Sequence, residues 1–544
     1  MPLKSRASRR QPGHRVLRLS LACLAAVTAV ATGVAGGCGG RTPLNVGPPQ
    51  PPCFVDSDCP DFKNLCQPVY CDLAAGKEAG APRNGGLCIE LEPVVCDDND
   101  PCTDDSCVKK TGECKFELAT RDNDGDGFNG PRAGTLPGDP LACGDDCDDK
   151  SELAYPGATE VCDGVDNDCN SIVDDGATYI PLLNEPIRLS GDGIAPAGPG
   201  GLAWSGSSYA AAYTGTIDGF SMRRSMLSPT GLPLGPEEPI VFQNGDNAGG
   251  PLVWVGDRYG LAWQDRRSGD YETYFTLLDE NGAKVLADQR LSNAPGFSIN
   301  VSLTWTGEEF VEVWQDERDG LFDLFAQKLT IDGAPVGPNV KLTQAINVGN
   351  EAPSASAGLA TVGVAWAPGD ALQHFIQFQV FNQDLTKRSE VLSITNGTSD
   401  AVYPTVVWNK DRYVIAWFDK SANPKAIYGA VVDEDGTLLV PPKSLTKPGQ
   451  FRSRYPSIKP LGDRVLLVYS DDRDQNDGYE LYTVMLNKDL DQTGIEQRVT
   501  FAKRDSIYPI ATFGPDGNVG ILFRDDREDE QHVFFTRLGC IVNP

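Results

Sequence analysis

Hydrophobic and polar positions alternate in short runs over the C-terminal two thirds of the chain, and the runs recur with a fixed period. Three segments show the pattern most clearly: PLVWVGDRYGLAWQDRRSGDYETYFTLLDENG at 251–282, SLTWTGEEFVEVWQDERDGLFDLFAQKLTIDG at 302–333 and PTVVWNKDRYVIAWFDKSANPKAIYGAVVDEDG at 404–436. Alternation with a period of two indicates a half-buried strand, and the Gly-containing segments between runs indicate tight turns. Each segment therefore predicts three strands, and a short apolar run after it predicts a fourth.

An aromatic residue in the second strand of each unit recurs seven times, at spacings of 50 to 54 residues, namely at Tyr213, Trp263, Trp314, Trp366, Trp417, Tyr469 and Phe523. Four-stranded units with this period predict an all-β fold, a seven-bladed β-propeller over residues 178–544. The first and fourth copies are degenerate, so six or eight blades are the alternatives. The chain ends on a third strand, HVFFTRL, while an extra fourth-strand segment, IRLS at 187–190, precedes the first unit. We expect the N-terminal strand to complete the last blade and leave no open sheet edge.

Two charged residues repeat with the blades: Asp265, Asp316, Asp419, Asp471 and Asp525 stand two places after the aromatic residue, and Arg267, Arg318, Arg473 and Arg527 follow two places later. Repetition favours a scaffold role, in which the carboxylate accepts turn N–H groups and the arginine bridges to the next blade. The alternative is a ring of arginines that binds an anion at one mouth. A ligand site is expected where the repeat departs from its pattern.

The N-terminus predicts export. Six basic residues precede the apolar run LSLACLAAVTAVATGVAGG, so residues 1–37 have the organisation of a secretory signal. The segment AGGC at 35–38 resembles a bacterial lipobox, which implies lipidation of Cys38, and a Pro-rich tether follows over residues 38–52. Gly39 favours the outer membrane over the inner one. We expect an exported outer-membrane or cell-surface lipoprotein that touches the membrane only through its anchor; an ordinary secreted protein is the alternative.

Net charge and cysteine content indicate which partners and which cellular compartment to expect. The net charge of −29 becomes −35 without the leader, which argues against nucleic acid or anionic lipid as partners and favours cations. Fourteen cysteines follow Cys38, an even number that suits a disulfide framework in an oxidising compartment. Nine of them lie in a disulfide-rich module at residues 53–118. Because nine is odd, we expect one of these to pair with Cys540.

Residues 119–177 form an acidic module with two candidate calcium loops. Both place oxygen-bearing side chains at alternate positions and a main-chain carbonyl at the seventh, as an EF-hand loop does. The first loop offers Asp122, Asp124, Asp126 and the Phe128 carbonyl; the second offers Asp166, Asp168, Asn170, the Ile172 carbonyl and Asp174. The twelfth position is alanine in both loops, so we expect further ligands from the segment between them.

That segment brings a family resemblance. The ordered pieces DNDGDGF, GDDCDD and YPGATEVCDGVDNDCNSIVDDG, within 122–176, resemble the MopE-type metal-binding motif of bacterial surface proteins. The resemblance implies metal binding without fixing the metal. The additional carboxylates are expected at Asp145, Asp146, Asp148, Asp149 and Asp163. Ser171, where the family has glycine, and the added Cys143 depart from the pattern.

The chemistry of the donors favours calcium, with more than one ion bound. Hard carboxylate and carbonyl oxygens without histidine select calcium over zinc or copper. Cys147, Cys162 and Cys169 would suit zinc as thiolates, but in an exported protein we expect them in disulfides. An acidic, disulfide-held loop without a specific ion is the alternative.

The motifs of catalysis are missing from the sequence. Beyond the leader there are two histidines, His374 and His532, and no H-E-x-x-H, G-x-S-x-G, P-loop or sialidase Asp-box. The sequence therefore predicts a protein that is not an enzyme: a calcium-stabilised stalk presenting a propeller that binds a protein or glycan. The alternatives are an extracellular propeller glycoside hydrolase and a metal-acquisition protein.

We expect the wild-type chain to incorporate labelled palmitate and to sediment with membranes, and the Cys38→Ser variant to do neither. Cys23→Ser, a change within the leader, is the matched control and should behave as wild type. Sedimentation of Cys38→Ser with membranes would contradict the lipid anchor.

Overall fold

The computed structural model describes residues 52–542 except for 62, 75–84, 138, 140, 175, 192–198, 216–220, 242–246, 371, 398, 423–424, 447–450, 475–477 and 529. The leader, Cys38 and nearly all of the tether lie outside these residues. Within the described part, the elements with defined bounds are strands and two single-turn 3₁₀ helices, at Asp56–Asp58 and Pro515–Gly517; Leu73 and Ala74 are also helical. No helix there has the length and hydropathy needed to cross a membrane.

A small compact unit comprises the described residues up to Asp98 together with Asp105–Phe116. Its antiparallel strands Val69–Asp72 and Leu87–Glu90 are four residues long. The unit is held by the disulfides Cys53–Cys71, Cys59–Cys88, Cys66–Cys107 and Cys96–Cys114. Its buried apolar side chains, over the residues described, are Cys53 and Cys59. Disulfides thus replace the hydrophobic core that so short a segment cannot build. A further two-stranded sheet joins Thr103–Cys107 to Cys114–Leu118.

Residues 117–544, with 99–104, form the second compact unit, which contains a seven-bladed propeller as the sequence predicts. The strands are Pro199–Trp204, Tyr209–Gly215, Ser221–Leu227 and Glu238–Pro239 in blade 1; Leu252–Trp254, Arg258–Asp265, Glu272–Asp279 and Gln289–Arg290 in blade 2; Ser298–Trp305, Glu309–Asp316, Asp323–Thr330 and Pro335–Lys341 in blade 3; Gly349–Ala357, Thr361–Gly369, Gln377–Asn382 and Leu392–Ser393 in blade 4; Ala401–Asn409, Arg412–Asp419, Ala426–Asp433 and Leu438–Ser444 in blade 5; Ser453–Leu461, Arg464–Asp471, Glu480–Leu486 and Gln492–Arg498 in blade 6.

Blade 7 closes the ring with strands from both ends of the propeller. Its strands from the C-terminal end are Ser506–Phe513, Val519–Asp525 and His532–Val542. The last of these pairs with Ala177–Pro181 and with Ile187–Arg188, where Phe534 lies opposite Arg188. The predicted closure by the N-terminal strand is confirmed, and the strand His532–Val542 is paired on both sides.

Apolar side chains between neighbouring blades form the core. Phe275 of blade 2 packs on Phe310 of blade 3 with ring centroids 5.2 Å apart, and Tyr209 of blade 1 packs on Phe535 of blade 7 at 5.3 Å. The aromatic residues that recur in the second strands are fully buried. The second strand of each blade is therefore buried on both faces, whereas alternation predicts burial of one face only.

The repeated Asp and Arg residues stabilise single blades. In blade 3, Asp316 accepts hydrogen bonds from Trp314 Nε1 at 2.9 Å, Ser298 Oγ at 2.9 Å and the Arg318 main-chain N–H at 3.0 Å. The Arg318 guanidinium returns to the same carboxylate and lies 4.0 Å from the centroid of the Phe325 ring. The predicted scaffold role of the aspartate is thus observed. The predicted bridge to the next blade is wrong here, because turn and stacking partners within the blade bind the arginine.

Removing this carboxylate tests the interaction. Burial alone would raise the pKa of Asp316, but hydrogen bonds from Arg318 and Trp314 outweigh burial and hold the pKa below its usual value of 3.8. We expect Asp316→Ala to lower the free energy of unfolding by about 3 kcal/mol, since it removes a buried carboxylate and leaves the half-buried Arg318, Trp314 Nε1 and Ser298 Oγ without their acceptor. Denaturant unfolding measures the change.

The exposed Asp332, which pairs with Arg258 at the surface, supplies the control Asp332→Ala, expected within about 1 kcal/mol of wild type. Because the folded-state pKa of Asp316 is depressed, its contribution is present above the ordinary aspartate pKa and is lost as the pH falls below it. Equal losses from the two variants at neutral pH would contradict this assignment.

Candidate metal centre

The acidic module belongs to the same compact unit as the propeller and is held in it by disulfides. Cys147 pairs with Cys169 and Cys162 pairs with Cys540, on the closing strand of blade 7. The expected link between Cys540 and the first cysteine group is wrong. The odd cysteine of that group, Cys102, pairs with Cys143 instead. Cys143, the addition to the family pattern, thus supplies the partner that the count required.

A buried ion pair adds a second connection to the propeller. Asp174 pairs with Arg464, the first residue of the second strand of blade 6, and both side chains are almost fully buried. The other Asp174 oxygen accepts the N–H groups of Asp163 at 3.1 Å and Gly164 at 3.0 Å. Gly164 lies against Gly462 so closely that a Cβ on either would clash with the other backbone. With both oxygens engaged, Asp174 leaves the predicted ligand set.

The first loop curls around its own carboxylates. Asp122 accepts the N–H of Gly125 at 2.6 Å and of Gly127 at 3.1 Å, while Asp126 accepts the N–H of Phe128 at 2.8 Å. These bonds bring one oxygen each of Asp122, Asp124 and Asp126 within 4.8 Å of one another. The alternating acids therefore converge on one point, as the spacing predicts.

The second loop repeats this hydrogen-bond pattern. Asp166 accepts the N–H of Asn170 at 3.1 Å and of Ser171 at 2.7 Å, and Asn170 accepts the N–H of Ile172 at 2.8 Å. Ser171 has a φ of 74°, matching the left-handed conformation of Gly127 in the first loop. The turn therefore forms with serine, at a conformational cost that glycine would not carry.

One short segment connects the two loops. The Tyr155 ring stacks on Phe128 of the first loop, with centroids 5.2 Å apart and an interplanar angle of 8°. The Tyr155 N–H donates to the Asn167 carbonyl at 2.8 Å, and the Gly157 N–H donates to the Asp168 carbonyl at 3.0 Å. The YPG segment thus makes the geometry of one loop depend on the other.

Two acids from this intervening part of the chain are buried next to the loops. Burial raises the pKa of Asp146 to about 6; the Asp148 N–H opposes this shift, and the carboxylates of Asp126 and Asp124 add to it. Burial likewise raises the pKa of Glu160, whose carboxylate lies within 4.8 Å of ligand atoms of Asp166 and Asp168. Each loop therefore has one buried acid beside it.

Glu160 was missed by the sequence analysis. The EF-hand template places the closing acid at the twelfth and last position of the loop, whereas Glu160 lies six residues before the first ligand of the second loop, Asp166. The weak signal was that Glu160 lies in the segment from which extra ligands were expected.

The other predicted carboxylates differ in placement. Asp149 accepts the N–H of Asn123 at 2.9 Å and thereby joins the first loop. Asp145 and Asp163 are exposed, and Asp163 accepts the N–H of Val165 at 2.9 Å. Among the described residues, the convergent acidic groups do not include Asp145, Asp148, Asp149 or Asp163.

Comparison with family models supports the metal-binding assignment of this segment. The model Cu-binding_MopE, described as "Putative metal-binding motif", matches residues 146–175. The match covers Asp146, Glu160 and the second loop, and it begins after the first loop. No curated protein matches the chain.

Solved structures resemble the propeller. A thermostable family-43 glycoside hydrolase is 13% identical, with 48% of this chain and 98% of that chain covered and a TM-score of 0.31. A family-43 endo-arabinanase from Bacillus licheniformis is 12% identical, with 46% of this chain and 99% of that chain covered and a TM-score of 0.29. An endo-arabinase from Bacteroides thetaiotaomicron is 11% identical, with 44% of this chain and 92% of that chain covered and a TM-score of 0.31.

These likenesses correct one prediction. The prediction that the chain is not an enzyme is corrected: it was drawn from missing motifs, and the solved structures that resemble the chain include a family-43 glycoside hydrolase and two arabinanases, so missing motifs do not exclude an enzyme. At such identities the likeness shows the fold alone and assigns no substrate or catalytic residue to this chain.

The role of Glu160 can be tested by an isosteric change. We expect Glu160→Gln to weaken calcium binding by tenfold or more at one of two sites, because the amide keeps the shape of the side chain and loses the charge. Titration calorimetry resolves the two sites. Glu308→Gln, which removes an equal charge from an exposed turn of blade 3, is the control. Equal calcium affinities for both variants would exclude Glu160 as a ligand.

Proposed function

We propose that the acidic module binds calcium at two sites and that the bound ions stabilise it against the propeller of an exported protein. One observation carries the proposal: in the described part of the acidic module, four carboxylate oxygens are buried with neither a hydrogen-bond nor an ion-pair partner, namely Asp124 Oδ2, Asp126 Oδ2, Asp146 Oδ2 and Glu160 Oε2.

Unpartnered buried carboxylates are costly, and a cation removes the cost. An ionised carboxylate accepts hydrogen bonds only, and its burial without a partner is strongly unfavourable. Mutual repulsion of the clustered acids adds to this cost. A divalent ion placed among them reverses the electrostatics and restores the ionised forms.

The donor set favours calcium. The described cysteines are paired in seven disulfides, so they offer no thiolate to zinc or copper. The loops offer carboxylates, an amide oxygen at Asn170 and main-chain carbonyls at Phe128 and Ile172. These are the ligands of calcium, with affinities in the extracellular class expected at about 10⁻⁴ to 10⁻³ M.

Calcium at this place would act on the closure of the ring. Cys162 and Asp174 connect the module to blades 7 and 6, and the module leads directly into Ala177–Pro181, which pairs with the closing strand. Burial lowers the pKa of Arg464 to about 10, and the nearby Glu160 carboxylate opposes that shift. The second calcium loop and the propeller thus share one electrostatic network.

The remaining parts of the proposal concern place and partner. The seven disulfides favour an extracellular protein. We propose that Cys38 carries a lipid anchor in the outer membrane or at the cell surface, and that the propeller binds a protein or glycan there.

Thermal unfolding of the disulfide-intact mature chain tests the calcium proposal. At a 100-fold excess of calcium over the dissociation constant, we expect the propeller transition to gain about 2.7 kcal/mol per coupled site relative to chelator. Magnesium at equal concentration is the control, because it fits poorly into flexible all-protein oxygen cages. A propeller transition that calcium leaves unchanged would contradict the coupling, and calorimetry without binding heat would contradict the sites themselves.

A further inference from the structure

The mouth of the propeller is built by one repeated backbone distortion. In five blades the first strand contains a register break that holds a residue at positive φ, between 50° and 57°, namely Asn300, Ala352, Tyr403, Tyr455 and Tyr508. All five side chains line a single cavity of about 460 Å³ on the ring axis. The distortion repeats, but the side chains that it presents do not.

The side chains at these register breaks differ in chemistry between two halves of the mouth. Blades 5, 6 and 7 present a crescent of three tyrosines, Tyr403, Tyr455 and Tyr508. Centroid distances along it are 6.0 Å and 4.0 Å, and the Tyr508 hydroxyl donates to the Tyr455 hydroxyl at 3.1 Å. Blades 2 and 3 present amides: Gln264 Oε1 accepts the Asn300 main-chain N–H at 2.8 Å, and both residues line the cavity.

The crescent is supported from behind and open in front. The Arg454 guanidinium lies 4.9 Å from the Tyr455 centroid, and that of Arg524 lies 4.8 Å from the Tyr508 centroid, so these rings are held in place. Tyr403, at the end of the crescent, is 55% exposed. Among the described residues that line the cavity, none is charged, although the whole chain has a net charge of −29.

We infer that this mouth binds a neutral saccharide, with a sugar ring packed on the tyrosine crescent and its hydroxyls bonded to the amides opposite. A pyranose has an apolar C–H face, which suits the negative face of an aromatic ring. Its hydroxyl edge both donates and accepts, as a side-chain amide does. The cavity lies within the range of about 300–1,000 Å³ typical of small-ligand sites, and its uncharged lining favours an uncharged ligand. This inference rests on the propeller half of the proposed function and is independent of the calcium sites.

The experiment uses the mature, disulfide-intact chain in millimolar calcium, titrated with the neutral disaccharides cellobiose, maltose, lactose and diacetylchitobiose. We expect at least one to bind and to quench tyrosine fluorescence. Tyr403→Ala should weaken that binding about tenfold. Alanine already occupies the equivalent position at Ala352 with a φ of 50°, so the fold accepts this change.

Two variants complete the test. Tyr70→Ala removes a tyrosine from the small disulfide-rich unit and should bind the sugar as wild type does. Asn300→Gly keeps the positive φ and removes the amide, and it should weaken binding independently of Tyr403. Calcium affinity, measured on the same samples without sugar, should be unchanged in all variants.

The inference is overturned if no disaccharide binds, if Tyr403→Ala binds as tightly as wild type, or if Tyr70→Ala loses as much affinity as Tyr403→Ala. Binding of a proline-rich peptide in place of every sugar would also overturn it, since such peptides dock on aromatic grooves. Failure of sugar binding with normal calcium binding would refute this inference and leave the calcium proposal standing.

Discussion

The pairing of the closing strand His532–Val542 is the contact on which the rest of the molecule depends. It joins the C-terminal end of the propeller to Ala177–Pro181 and Ile187–Arg188, so the two ends of the propeller are held in one sheet. The same strand carries Cys540, which holds the acidic module through Cys162. The fold of the ring and the position of the metal-binding segment therefore share one element.

In the acidic module, disulfides and hydrogen bonds act against the mutual repulsion of clustered carboxylates. Its loops lack a hydrophobic core, and their shape comes from side-chain to main-chain hydrogen bonds and from disulfides. Clustered carboxylates oppose this compact shape by repulsion, so disulfides and cations have complementary roles: the disulfides limit the unfolded chain and the cations offset the charge. Because Asp174 of the module pairs with Arg464, the stability of the module is coupled to that of blade 6.

In the propeller, the residues that build the blades recur, whereas the side chains at the mouth vary from blade to blade. The buried aromatic residue recurs in all seven blades because each blade has the same packing to satisfy, and the Asp–Arg pair recurs in the four blades that share the same turn. The register breaks at the mouth also recur, yet they present asparagine, alanine or tyrosine in turn. Where a costly backbone conformation is shared and the side chain is free to differ, the ring offers an asymmetric surface at its axis.

The sequence by itself determined the class of fold and the manner of closure and favoured seven blades over six or eight, because strand alternation and a 50-residue period are local properties repeated many times. It also indicated both acidic loops, since carboxylates two residues apart converge wherever the backbone curls. Tertiary structure alone decided that Cys540 pairs with Cys162, that Asp174 pairs with Arg464 and that Glu160 lies beside the second loop. Those partners are distant in sequence or outside the loop template, and only packing selects among such long-range contacts. The tyrosine crescent was likewise invisible in the repeat, because it arises from bulges that turn three separate strands toward one axis.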